Sequence, residues 1–177
     1  ESHGFAAWDR STWTYPAQPS VLVNGRWLLA RDPGRQLTTL VVSAPTAIEV
    51  HDWNGTTWTQ RTSVGAPPAW NVNGRLVHDP ASGALLSLTA FPPGTPLQVW
   101  SCNGTSWQQI VTPTSPPPLE WFGTARDPVT NELLVFGGYQ SIGGFAVTQN
   151  QLWAFNGTNW RLRPSPTAPA ARYAHAM

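Results

Sequence analysis

Three stretches of the chain repeat one short pattern: Asn54-Gly55-Thr56-Thr57-Trp58, Asn103-Gly104-Thr105-Ser106-Trp107 and Asn156-Gly157-Thr158-Asn159-Trp160. A degenerate fourth copy, Asp9-Arg10-Ser11-Thr12-Trp13, comes before them. Aligned on their tryptophans, the copies stand 45, 49 and 53 residues apart (58 − 13, 107 − 58, 160 − 107). Asn-Gly favours a two-residue type I′ hairpin, in which both central residues need positive φ. The Thr and Trp that follow resume a strand. A second anchor, Asp-Pro, recurs at Asp32, Asp79 and Asp127, spaced by 47 and 48 residues (79 − 32, 127 − 79). It starts a turn because Asp accepts local backbone hydrogen bonds and Pro fixes φ at about −65°. Two independent anchors with one period predict a β-repeat architecture.

Between the anchors each repeat reads as four strands. The first complete one runs through 26–30, 37–42, 47–53 and onward from 57; the second through 75–78, 84–90, 97–102 and 106–111. In the third, Asp127-Pro128-Val129-Thr130-Asn131-Glu132-Leu133-Leu134 lies on Asp79-Pro80-Ala81-Ser82-Gly83-Ala84-Leu85-Leu86 without a gap. Pro67-Pro68, Pro116-Pro117-Pro118 and the stretch 164–169 separate the repeats, since Pro cannot donate to a ladder. The Gly-rich stretch 138–150 is the longest excursion within a repeat and is expected to be a partner-contacting loop.

Composition narrows the classes of partner. Ten Arg, no Lys and nine acidic residues leave a net charge of +1, so the basic footprint that nucleic acid demands is missing. No apolar run reaches the roughly 18 residues of a membrane helix, so membrane insertion is not expected. Cys102 is the sole cysteine, which excludes an internal disulfide framework and a multi-cysteine metal site. No cofactor is expected. Nucleophile-elbow, phosphate-loop and HExxH patterns are missing, and the acidic residues fall mostly at turns.

Four-stranded repeats of this length that end in an Asn-Gly-Thr-x-Trp hairpin resemble the blades of a kelch-type β-propeller. The resemblance rests on Asp127-Pro128, Glu132-Leu133-Leu134-Val135-Phe136-Gly137-Gly138-Tyr139, Leu152-Trp153-Ala154-Phe155-Asn156-Gly157 and Trp160. It implies an all-β fold of about three and a half blades. Residues 1–16 would be the last strands of a preceding blade, 17–66, 67–115 and 116–168 three blades, and 169–177 the first strand of a following one. Thr89-Ala90 replaces the Gly pair in the second repeat. Propellers have four to eight blades, so three origins are open: a segment of a longer polypeptide, which is favoured, two copies pairing, or a four-bladed ring.

Recurrence assigns Trp58, Trp107 and Trp160 to the scaffold as wedges between blades, with Gly55, Gly104 and Gly157 in their hairpins and Asp32, Asp79 and Asp127 in the Asp-Pro turns. Cys102 aligns with Trp53 and Phe155, a packing slot. Arg31, His78 and Arg126 each precede an Asp-Pro turn; three such side chains around one channel mouth would suit a carboxylate or sulfate, unless each pairs with its neighbouring Asp. Trp70 and Trp121 lie where connectors reach a rim, and Tyr139 follows the Gly pair; these complete the ligand-binding candidates. The expected function is non-catalytic binding of protein or glycan, or assembly with another copy or with the rest of a propeller, in a bacterial extracellular or cell-surface protein. Two alternatives stand beside it: a segment of an extracellular carbohydrate oxidase whose active residues lie elsewhere, and a structural subunit of a multichain assembly.

Overall fold

The computed structural model describes residues 6–8, 10–15, 26–43, 48–62, 74–79, 82–103 and 106–177. Trp70 and Gly104 lie outside them. Among the described residues the chain is all β, without a helix. A short hairpin pairs β1 (Ala7–Trp8) with β2 (Trp13–Thr14). Three four-stranded antiparallel sheets follow. The first holds β3 (Arg26–Asp32), β4 (Leu37–Ser43), β5 (Ile48–Trp53) and β6 (Trp58–Arg61). The second holds β7 (Arg75–Asp79), β8 (Ala84–Thr89), β9 (Gln98–Cys102) and β10 (Trp107–Ile110). In the third, β11 (Gly123–Arg126), β12 (Leu133–Phe136), β15 (Leu152–Phe155) and β16 (Trp160–Leu162) pair in order. Between β12 and β15 the chain leaves to form a separate hairpin, β13 (Tyr139–Ile142) and β14 (Phe145–Thr148).

Each Asp-Pro anchor closes the turn between a first and a second strand. The residue four positions after the Asp takes the left-handed conformation in all three: Gln36 (φ 56°), Gly83 (φ 71°) and Asn131 (φ 62°). The carboxylate organises the turn, with Asp127 Oδ1 accepting from the Val129 N–H at 2.9 Å and Asp32 Oδ1 from the Arg35 N–H at 3.1 Å. The Asn-Gly hairpins depart from the expected type I′ turn. Their strands close at Trp53↔Trp58 and Phe155↔Trp160, which leaves four loop residues rather than two. Asn54 Oδ1 accepts from the N–H of Thr56 and of Thr57, both at 2.9 Å, so the side chain caps the turn and only Gly55 (φ 106°) is left-handed. Asn156 does the same for Thr158 and Asn159, with Gly157 at φ 99°.

The sheets stack face to face. Trp107, 5 % exposed, packs with Val41 and Val50 of the first sheet and Leu76, Leu85 and Cys102 of its own. Trp160, 1 % exposed, joins Leu86, Leu88 and Val99 of the second sheet to Leu133, Val135 and Phe155 of the third. Each of these fourth-strand tryptophans therefore faces the preceding sheet. Strand β8 is covered on both sides, with all six residues buried. Side chains alternate along a strand, so Leu85 meets the first sheet while Leu86 and Leu88 meet the third. Trp58 packs on Leu40 and Val42. The arrangement is compatible with a propeller-like fold.

Candidate functional site

The three side chains expected at one channel mouth, Arg31, His78 and Arg126, are distributed as a staircase. His78 Nε2 lies 3.6 Å from Asp32 Oδ1, and Arg126 donates to Asp79 Oδ1 at 3.0 Å. Each reaches the Asp of the preceding sheet rather than that of its own repeat. Arg31 is exposed and donates to Gln36 Oε1 at 3.1 Å, the same five-residue relation by which Arg126 Nε reaches Asn131 Oδ1 at 2.7 Å. Burial pushes the Asp32 carboxyl up, but the Arg35 N–H and guanidinium, with the charge of His78, more than reverse this and hold it below its ordinary value. His78 and Arg126 thus face carboxylates of the chain itself, and Arg31 a side-chain amide.

Two other candidates are brought together. Trp121 and Tyr139 meet where the connector from the second sheet enters the third. Glu120 and Tyr139 form an isolated antiparallel bridge, N–H to C=O at 3.0 and 2.9 Å in the two directions. The Tyr139 hydroxyl donates to Glu120 Oε2 at 3.0 Å. Burial raises the Tyr139 pKa, and the Glu120 hydrogen bond and charge add to that, with the Trp121 side chain acting the other way. Tyr173, 54 % exposed, stacks edge-on against Tyr139 at 5.6 Å between centroids.

Trp121 itself has φ 54°, a conformation that bulky residues rarely adopt and that costs about 1–3 kcal/mol. Its neighbours fix it there. Glu120 is held by the bridge to Tyr139, and the Trp121 carbonyl accepts from the Ala174 N–H at 2.8 Å. The strain does not bury the indole, which remains 38 % exposed. The result is an edge-on pair of Tyr139 and Tyr173, with the Glu120 carboxylate on the Tyr139 hydroxyl, next to the exposed Trp121.

The Gly137-Gly138 pair makes room for this. Both are left-handed, and a Cβ would stand 2.5 Å from the Arg172 carbonyl at Gly137 and 2.8 Å from the Glu120 carbonyl at Gly138. Gly138 donates its N–H to the Arg172 carbonyl at 2.8 Å, and the Arg172 N–H donates to the Gln149 carbonyl at 3.1 Å. Segment 169–177, expected as a first strand, carries no strand and runs as an extended strap across the base of the β13–β14 hairpin. The expected 138–150 loop is itself that hairpin, because Gly143-Gly144, both left-handed, closes a tight turn.

Sequence reasoning named Trp121 and Tyr139 but missed Glu120 and Tyr173. Nothing in the local pattern marks Tyr173; the signal was the Gly pair, which announces a close backbone approach. Among the described residues no group of His, Cys, Asp and Glu is arranged to hold a metal ion. Neither the models of known protein families nor the sequences of curated proteins match this chain.

Proposed function

We propose that the chain builds blades of a kelch-type β-propeller and binds glycans without catalysis, as a module of an extracellular or cell-surface protein. The reading of the fold is supported by four-stranded sheets that stack through one tryptophan per repeat. The reading of the function is carried by one observation: Trp121 is held in a strained conformation that keeps its indole exposed beside a tyrosine–carboxylate pair. An exposed indole offers a flat apolar face to the C–H face of a pyranose, and a carboxylate accepts hydrogen bonds from sugar hydroxyls. Strain that the surroundings over-determine is characteristic of ligand sites.

The test is electrophoresis through gels containing neutral and acidic polysaccharides, with Trp121→Gly as the control. Glycine takes φ 54° without strain, so the variant keeps the wild-type melting midpoint or exceeds it, and it loses the retardation. Migration of the wild type unaffected by every polysaccharide, or a Trp121→Gly variant retarded as strongly as the wild type, overturns the proposal.

A further inference from the structure

The short hairpin β1–β2 has the register of the last hairpin in each four-stranded sheet. Trp8 stands opposite Trp13 as Trp53 stands opposite Trp58, Cys102 opposite Trp107 and Phe155 opposite Trp160. The second loop residue is left-handed in Arg10 (φ 87°), Gly55 (φ 106°) and Gly157 (φ 99°) alike. Trp13 therefore holds the position of the wedge tryptophans, yet it is 62 % exposed where Trp107 and Trp160 are 5 % and 1 % exposed. A two-stranded hairpin is marginally stable by itself in water, so this one gains from a surface that covers its indole.

Such a surface is present on the third sheet. Trp160 clusters with Leu86, Leu88 and Val99 of the second sheet. Standing 48 residues on from Leu86 and Leu88, and 53 on from Val99, are Leu134, Phe136 and Leu152. Leu152 lies opposite Phe136, and Leu134 shares that face. It is the face turned away from the second sheet, which Leu133 and Val135 meet. Here Phe136 and Leu152 line a cavity of about 490 Å³, together with Leu162, Pro164, Pro169 and Met177. The strap does not take the place of a tryptophan. Ala174 has φ 53° and Trp121, 53 residues earlier, has φ 54°, so His175 corresponds to Phe122. Phe122 and Trp160 belong to one cluster on the second sheet, so a single seat accommodates both. On the third sheet His175 meets Phe136 edge-on at 5.6 Å, and the cavity is the space beside it.

We infer that the β1–β2 hairpin of a second copy of this chain docks in the cavity, with its Trp13 against Phe136 and Leu152 beside the strap. The occupant follows from continuity with contacts already present. The first and second sheets each receive a tryptophan from a hairpin of this register, the third offers the next seat in that series, and β1–β2 is the hairpin of this register that holds its tryptophan most exposed. The two halves of the contact lie on different surfaces of one chain, so the interface is heterologous and joins copies head to tail. An indole buried there removes about 150–250 Å² from water.

The test is the mass of the intact chain by light scattering over a concentration series, with two exposed substitutions. The wild type associates as concentration rises. Trp13→Ala removes the inserted side chain, and truncating an indole at the centre of a contact weakens association by about thirtyfold or more. Leu162→Arg, 43 % exposed on the cavity wall, has the same effect from the other side. Circular-dichroism melting shows that each variant is folded; if Leu162→Arg is not, Ala176→Arg, also exposed and lining the cavity, replaces it. Mixed, the two variants recover a one-to-one complex, because one keeps the cavity and the other the tryptophan. A single-chain mass at every concentration overturns the second copy as occupant. Association that survives Trp13→Ala, or folded variants that stay apart when mixed, overturns the docking of this hairpin.

Discussion

Replacing Trp107 by Ala tests the stacking of the first two sheets directly. The side chain is 5 % exposed and is surrounded by Val41, Val50, Leu76, Leu85 and Cys102. A buried indole covers about 150–250 Å². Losing about 150 Å² of that contact at about 25 cal/mol per Å² costs about 4 kcal/mol. One contribution opposes it: the indole N–H is buried without an acceptor, so its removal returns about 1 kcal/mol of desolvation penalty. The cavity left behind adds a comparable amount, which keeps the net loss at about 3–5 kcal/mol. For a chain of this size each kcal/mol corresponds to about 2–4 °C, so the melting midpoint falls by about 10 °C. Urea unfolding gives the free energy from the midpoint at unchanged slope. Trp107→Phe retains much of the contact and removes the unpaired N–H, so it costs about 1 kcal/mol. A Trp107→Ala transition within about 0.5 kcal/mol of the wild type, the range of ordinary surface substitutions, refutes the wedge. A Trp107→Phe loss as large as that of Trp107→Ala refutes the account of the N–H.

Gly137→Ala places a Cβ 2.5 Å from the Arg172 carbonyl at φ 65°; the expected loss is about 2 kcal/mol, with faster tryptic cleavage at Arg172, and wild-type melting and cleavage would refute the close approach. A double-mutant cycle on Arg126 and Asp79, whose side chains are 23 % and 13 % exposed, should give a coupling of about 0.5–1 kcal/mol in urea unfolding; zero coupling removes the pair from the contact between sheets. The Asp127 carboxyl is held at about 2, below its ordinary 3.8, first by the Thr130 hydroxyl and then by the N–H groups of Val129 and Thr130. A carboxyl lowered by folding stabilises the native state above its unfolded value of 3.8, and this is lost as the pH falls through about 2. Asp127→Asn should therefore flatten the dependence of the melting midpoint on pH between about 4 and 2, and an unchanged slope would contradict the assignment.

Much of the fold is legible in the sequence because its anchors are local. An Asp-Pro turn or an Asn-Gly hairpin is decided within about five residues, and the four-stranded sheets follow from their spacing. The turn type in the Asn-Gly hairpins was harder to read, because the Asn side chain competes with the backbone for the closing hydrogen bonds. Longer-range relations were hidden for a different reason. Arg126 adjoins Asp127 in sequence, yet stacking brings it to Asp79, 47 residues away. His175 reaches the third sheet only because Gly123 and Gly137 leave no side chain in the way. The hairpin at 139–148 lacks strict alternation: the polar Gln140 shares a face with Ile142, Phe145 and Val147 across the Gly143-Gly144 turn.

The contact between sheets has a direction. Trp107 and Trp160 look back to the sheet before them, as do His78 and Arg126, while Asp32 and Asp79 face the sheet after. A sheet therefore carries one donor side and one acceptor side, and both are encoded within a single repeat. A gene segment of that length, copied in tandem, brings its own plug and socket: the new unit satisfies its predecessor and offers its successor what the original offered. Growth by duplication then needs no simultaneous change on two surfaces. Drift can follow afterwards in the parts that no neighbour reads.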